Sequence, residues 1–303
     1  MPLDALIGER ARLLAGYSFE EIVAGGPAVA AAQRDFFAPA PGYAAPDVRV
    51  VDRSAPGPHG DVGVRVYRRD DDDGGLGPGL VWLHGGGFRA GDLDMPEADA
   101  VARELCDRTR ATVVSVGYRL VGDGVRFPVP HDDAFAAWQW AVRELGLDGR
   151  RLALGGASAG GNLAAGVALR LRDAGQAPAA LLLAYPVLHR RLPPPASPMP
   201  ADLDRLPPAL RFPADAYARM FADYLGDAPP SPYAIPAQGA ADGLPATLVL
   251  TSEYDDLRAT AEAFARQLRE AGVPVRERRE AGAVHGHLNV PGCEPFRRSV
   301  DAM

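Results

Sequence analysis

The chain has 303 residues, 47 % of them hydrophobic, so it can bury a substantial core as one large domain or two smaller ones. Its formal net charge of −7 excludes the basic surface on which nucleic acid or an anionic membrane is held, and turns attention to a small-molecule partner. Cys106 and Cys293 have no C-x-x-C neighbour and are expected as free thiols. The opening Met1-Pro2-Leu3-Asp4 has no signal-peptide pattern and no apolar run reaches spanning length, so the expectation is a cytoplasmic protein with no membrane insertion.

In chain order, Leu3, Leu6, Ile7, Arg10, Leu13 and Leu14 carry a helical spacing, and Phe19, Ile22 and Val23 begin a second helix. Residues 1–45 therefore read as short helices ahead of a main domain, 46–303. Val48 and Val50, then Val62, Val64 and Val66, alternate as in a hairpin at a sheet edge. The acids Asp70 to Asp73 beside glycines read as a solvated turn.

Leu80–Leu83, Thr112–Val116, Leu152–Leu154, Ala180–Leu183 and Thr247–Leu250 are apolar runs of the kind that form buried parallel strands. Between them, Asp133 to Leu145 and Arg258 to Ala271 put their apolar residues on one helical face. The class is α/β, with a mostly parallel sheet. Residues 189–236 break the rhythm with three proline clusters around an aromatic helical patch at Tyr217, Phe221 and Tyr224, and read as an insertion covering the site.

Gly156-Ala157-Ser158-Ala159-Gly160, between an apolar run and an alanine-rich helical pattern, has the form of a nucleophile elbow: a strained strand-to-helix turn that holds a serine proud of the sheet. Serine-based acyl transfer also needs a base, an acid to orient it and donors for the oxyanion. His84-Gly85-Gly86-Gly87 follows a strand in the pattern of an oxyanion-hole loop, with Gly85, Gly86, Gly87 and the N–H of Ala159 as donors and His84 supporting the loop. Asp255 follows the strand ending at Leu250 and is chosen as the acid over Glu253 and Asp256. His285, after a strand expected from Val273 to Arg278, comes last, in α/β-hydrolase order. His287 competes as base, and as one edge of a metal pair, although no third ligand stands at suitable spacing and no metal is expected.

Together, His84-Gly85-Gly86-Gly87, Tyr118-Arg119-Leu120, Gly156 to Asn162, Tyr185-Pro186, Glu253 to Arg258 and His285-Gly286 resemble the hormone-sensitive-lipase family of α/β-hydrolase esterases over about residues 48 to 290. The resemblance implies an α/β-hydrolase fold with helices on both sheet faces, a cap formed by the N-terminal helices and the insertion, and a Ser158-Asp255-His285 triad. It implies hydrolysis of short- to medium-chain acyl esters by a serine carboxylesterase without a cofactor; related esterases often pair, which leaves a homodimer open beside a monomer. The same match places His285 ahead of His287.

Several positions depart from the family pattern. Ala157 replaces Asp or Thr, Val121-Gly122-Asp123 replaces Ala-Pro-Glu, Asp256 replaces Pro and His287 replaces Phe, which is expected to make the wall beside the base more polar. The final helix looks shortened to Ser299–Met303. Phe36, Phe37, Tyr217 and Phe221 are candidates for an apolar acyl channel. Two further readings keep the fold: a small-molecule binding protein, as in related hormone receptors, and hydrolysis of an amide, lactone or carbamate, which the same triad serves.

Overall fold

A computed structural model of the chain describes residues 2–70 and 77–303. The acid-rich turn expected at Asp70 to Asp73 lies outside the described residues from Asp71 onward. Helix α1 (Ala5–Arg10) starts where the Asp4 carboxylate accepts from the N–H groups of Leu6 and Ile7, and α2 (Phe19–Ala24) starts at a Ser18–Glu21 capping box. A third helix, α3 (Pro27–Phe36), follows with Pro27 in its first turn. The sequence reading anticipates only two helices here, because the run Ala30-Ala31-Ala32 blurs any apolar stripe.

The main body runs β1 (Arg49–Ala55), β2 (Val62–Arg68), β3 (Gly79–Leu83), α4 (Pro96–Thr109), β4 (Thr112–Gly117), α5 (Val129–Glu144), β5 (Leu152–Ala157) and α6 (Ala159–Asp173). It continues with β6 (Leu181–Ala184), α7 (Ala214–Leu225), β7 (Thr247–Tyr254), α8 (Arg258–Glu270), β8 (Val275–Val284) and α9 (Glu294–Ala302). The strands form one eight-stranded sheet in the order β1-β2-β4-β3-β5-β6-β7-β8. The expected hairpin is present as antiparallel β1 and β2, with Val64 opposite Arg53, and β2 is also antiparallel to β4; the remaining pairs are parallel.

Period-2 alternation sends side chains of each strand to two different cores. On β3, Val81 and Leu83 join the residues of α5, α6 and α8, whereas Leu80 and Trp82 join those of α4, α9 and the N-terminal helices. Helices thus cover both faces. Among the described residues no helix is long and apolar enough to cross a membrane, and no group of three His, Cys, Asp or Glu is arranged to hold a metal ion. Cys106 and Cys293 are both buried, and no disulfide joins them.

Three boundaries differ from the sequence reading. Helix α5 begins at Val129, because Pro128 and Pro130 are tolerated in a first helical turn. Strand β8 continues to Val284: its register on β7 slips between Ser252, opposite Glu280, and Tyr254, opposite Val284, so the charged run Arg276–Glu280 is still strand. Gly282 sits in the slip at φ 71° and donates to a Glu253 carboxylate oxygen at 2.8 Å, so His285 leaves the strand end directly. Helix α9 begins at Glu294, its first turn capped by Cys293, whose sulfur accepts from the Phe296 N–H.

The segment 189–236 contains α7 and is tied to the sheet by Arg258. This side chain is 1 % exposed; its Nη2 donates to the carbonyls of Ser197 at 3.1 Å and Pro198 at 2.9 Å, and its Nε lies 2.9 Å from Oε1 of buried Glu262. Glu262 keeps a second partner, since Arg279 Nη2 lies 2.7 Å from the same Oε1, so removing Arg258 leaves the Ser197 and Pro198 carbonyls without their donor and does not strand the carboxylate. Arg258→Ala is therefore expected to lower the unfolding free energy by about 1 to 3 kcal/mol in a urea titration.

Candidate active site

Strand β5 delivers the chain to Ser158, which stands at φ 51° and ψ −114° before α6 begins at Ala159. A positive φ is costly for a residue with a Cβ, and here packing imposes it. A Cβ on Gly156 would meet the Gly160 carbonyl oxygen at 2.4 Å, and one on Gly160 would meet the Leu83 carbonyl oxygen at 2.1 Å. Both glycines of the pentapeptide are required because backbone from β3 and α6 fills the space. The Ser158 N–H donates to Ala184 at 2.9 Å and its carbonyl accepts from Asn162 at 3.1 Å, which fixes the turn at both ends.

Ser158 Oγ lies 2.9 Å from Nε2 of His285, whose Nδ1 lies 2.8 Å from Oδ2 of Asp255. The other Asp255 oxygen accepts from the Leu257 N–H at 2.8 Å, holding the carboxylate at the C-terminal end of β7. The three residues chosen from the sequence are thus brought into one hydrogen-bonded line. Burial works to lower the His285 pKa, but the Asp255 charge and hydrogen bond outweigh it, and the net value is raised above 6.5.

The competing residues are engaged elsewhere. Glu253 holds Gly282, and Asp256 makes a two-pronged pair with Arg211 at 2.9 Å while accepting from the Phe212 N–H at 2.8 Å. His287 is fully buried between Ser252, 3.0 Å from its Nδ1, and Ser299, 2.7 Å from its Nε2, and burial, reinforced by His285, pushes its pKa down to about 3. It therefore joins α9 to β7 and does not make the wall beside the base more polar.

The loop after β3 corrects one donor assignment. The Gly85 N–H points away from Ser158 chemistry and donates to Oε1 of Glu97 at 2.5 Å, so Gly85 has no hydrogen left for an oxyanion. A Cβ on Gly85 would fall 2.5 Å from that same oxygen, so the glycine makes room for a carboxylate. Gly86 and Gly87, at φ 107° and 60°, donate to no acceptor among the described residues, and neither does Ala159 at the first position of α6. His84 supports the loop as expected: its ring stacks on Tyr118 at 4.4 Å, its Nδ1 lies 2.8 Å from the Gly85 carbonyl, and burial lowers its pKa.

A family model described as alpha/beta hydrolase fold matches residues 80–289. Esterase LipI of Mycobacterium tuberculosis is 36 % identical over 82 % of this chain and 78 % of its own length. The chain belongs to the α/β-hydrolase fold family. Its motifs and esterase relatives place it in the hormone-sensitive-lipase-like branch, as the sequence resemblance implied. The ethyl acetate hydrolase of Pseudomonas putida is 35 % identical, covering 75 % of this chain and 71 % of that protein. The solved structure of a bacterial heroin esterase, 28 % identical, matches with a TM-score of 0.81 over 99 % of this chain and 95 % of that one.

In this α/β hydrolase several residues around Ser158 carry no motif. Glu97 is one of two acids, with Asp99, in the first turn of α4, and the preceding Pro96 marks only the helix start. Phe212 sets its ring edge-on to His285 at 5.1 Å and touches Phe19 of α2 at 4.9 Å, and Met220 of α7 is the neighbour a Cβ on Gly87 would meet, at 3.6 Å. The aromatics offered for an acyl channel fare differently: Phe36, Tyr217 and Phe221 are at most 1 % exposed and are core, with Phe37 partly buried against Phe36.

For His285 to act as a base towards Ser158 Oγ its imidazole must be neutral, and its raised pKa means that this form is lost as pH falls through a value above 6.5. The labelling rate of Ser158 by a fluorophosphonate is accordingly expected to drop on acidification with a midpoint above 6.5, and Asp255→Asn to move that midpoint downward.

Proposed function

We propose that this α/β hydrolase is a serine carboxylesterase acting on short- to medium-chain acyl esters, with Ser158 as nucleophile, His285 as general base and acid, and Asp255 orienting the imidazole. The observation that carries this reading is the unbroken line from Ser158 Oγ through His285, at 2.9 Å and 2.8 Å, to Asp255, at a strained turn beside unpaired N–H groups.

His285 Nε2 takes the Ser158 proton as Oγ bonds to the ester carbonyl carbon, and the carbonyl π electrons move onto oxygen. That oxyanion is received by the N–H groups of Gly86, Gly87 and Ala159, each donor being worth about 2.7 to 4 kcal/mol in the transition state. The oxyanion then collapses, the carbon–oxygen bond to the leaving alcohol breaks, and the His285 proton goes to that alcohol. Water repeats the cycle on the acyl-serine: its proton passes to His285, and the acid leaves as Ser158 regains its hydrogen. Asp255 stabilises the imidazolium in both halves.

Residues 1–45 and 189–236 serve as a cap on the catalytic body. The Phe19–Phe212 contact, the Arg211–Asp256 pair and a cavity of about 340 Å³ lined by Phe19, Leu206, Arg211 and Phe212 support that role. Phe212 and Met220 stand close over the base and the oxyanion loop, which favours compact acyl groups, as does the resemblance to an ethyl acetate hydrolase. Ser158→Ala is expected to lower turnover of a p-nitrophenyl acyl ester by about 10⁶-fold, with the wild-type enzyme fastest on short to medium chains. Near-wild-type turnover in the purified variant contradicts the mechanism.

A further inference from the structure

Glu97 is a buried acid, 1 % exposed, that the reaction just described does not use. Its backbone is pinned on two sides: Trp82 Nε1 donates to its carbonyl at 2.8 Å, and its N–H donates to Asn289 Oδ1 at 3.1 Å. Its two carboxylate oxygens reach different elements. Oε1 accepts the Gly85 N–H at 2.5 Å, and Oε2 accepts the Tyr185 hydroxyl at 2.7 Å.

Each of those two partners lies against one of the reacting groups. Gly85 is the residue directly before the two free loop donors, and a Cβ on it would stand 3.3 Å from the Ser158 Cβ. Tyr185 lies edge-on to His285 at 5.0 Å and to His287 at 5.2 Å, and holds a φ of 36°. A bulky residue keeps such a conformation only where its surroundings impose it. The Glu97 carboxylate bridges the loop carrying Gly86 and Gly87 to Tyr185, which lies against His285.

We propose that Glu97 is a positioning residue that keeps the oxyanion loop and the general base in mutual register, holding Gly85 on one carboxylate oxygen and Tyr185 on the other. The proposal rests on the serine-esterase reading. Its physical basis is that oxyanion donors and base must be correct together, and misplacement on the scale of 1 Å is able to cost about 10²-fold in rate. Substrate binding away from the carbonyl does not depend on that register, so the effect belongs in kcat.

Steady-state kinetics on a p-nitrophenyl acyl ester, with thermal melts to confirm folding, test this in Glu97→Gln, Tyr185→Phe, the double variant and Glu97→Ala. In Glu97→Gln the oxygen still accepts from Gly85 and the amide N–H donates to the Tyr185 oxygen, whereas phenylalanine has no hydroxyl, so the same arm is weakened in the first variant and removed in the second. Tyr185→Phe is expected to lower kcat about 10-fold and Glu97→Gln by less, each with KM within about 3-fold, and the double variant to be no slower than Tyr185→Phe, as for residues acting through one contact. Glu97→Ala loses both arms and is expected to fall by about 10² to 10³ in kcat; should it fail to fold, the other three variants decide. Wild-type kcat in Tyr185→Phe, or multiplying losses in the double variant, overturns the proposal. Turnover retained in Ser158→Ala defeats the esterase reading itself, whereas an inactive Ser158→Ala beside a wild-type-like Tyr185→Phe defeats only the role of Glu97.

Discussion

The turn at Ser158 is the constraint on which the rest of the molecule depends. A serine at φ 51° is held there because Gly156 and Gly160 let β5, α6 and the end of β3 come within contact distance, with the Leu83 carbonyl occupying the place of any side chain. That close approach is what brings the loop after β3 beside the serine, and it sets Ala159 at the positive end of α6. The neighbouring strands β6 and β7 then supply Tyr185 and Asp255 from their C-terminal ends, and β8 supplies His285 from its own. Strain at one residue is sustained by a sheet whose inner parallel strands, β3 to β7, are largely buried on both faces.

The glycine-rich loop divides its labour. Its first glycine accommodates a buried carboxylate, and its second and third keep their N–H groups unpaired beside Ser158. A carboxylate near developing negative charge is electrostatically unfavourable unless its oxygens are fully occupied; Glu97 has a donor on each, and those hydrogen bonds oppose the burial that pushes its pKa up. Farther out, Asp256 occupies a position where the related pattern has proline and uses it to hold Arg211 and the Phe212 backbone, whose ring meets the base. The departures from the family pattern at Asp256 and His287 therefore serve the packing around the site, one towards residues 211–212 and the other towards α9.

What was legible in the sequence follows from local signals. The buried strands are uninterrupted apolar runs, the elbow and the oxyanion loop depend on backbone shapes that only glycine permits, and the order of Ser158, Asp255 and His285 is a property of the chain itself. Features set by distant contacts were not legible. Glu97 meets Gly85 twelve residues away and Tyr185 eighty-eight away, so a first-turn acid looked like ordinary helix chemistry. The first half of β8, Arg276 to Glu280, is rich in charge and largely exposed, and a register slip follows it, which hid six further residues of strand, 279–284. Phe212 lies outside the helical pattern of its segment, and its contact with His285 comes from the anchoring of Arg211, not from periodicity.

The most direct test of the central claim is a crystal structure of the enzyme after reaction with a small alkyl phosphonate. The account predicts a bond from Ser158 Oγ to phosphorus, the phosphoryl oxygen within hydrogen-bond reach of the N–H groups of Gly86, Gly87 and Ala159, and the Gly85 N–H still on Glu97. A phosphoryl oxygen accepting from the Gly85 N–H, or an adduct on any other residue, would contradict it.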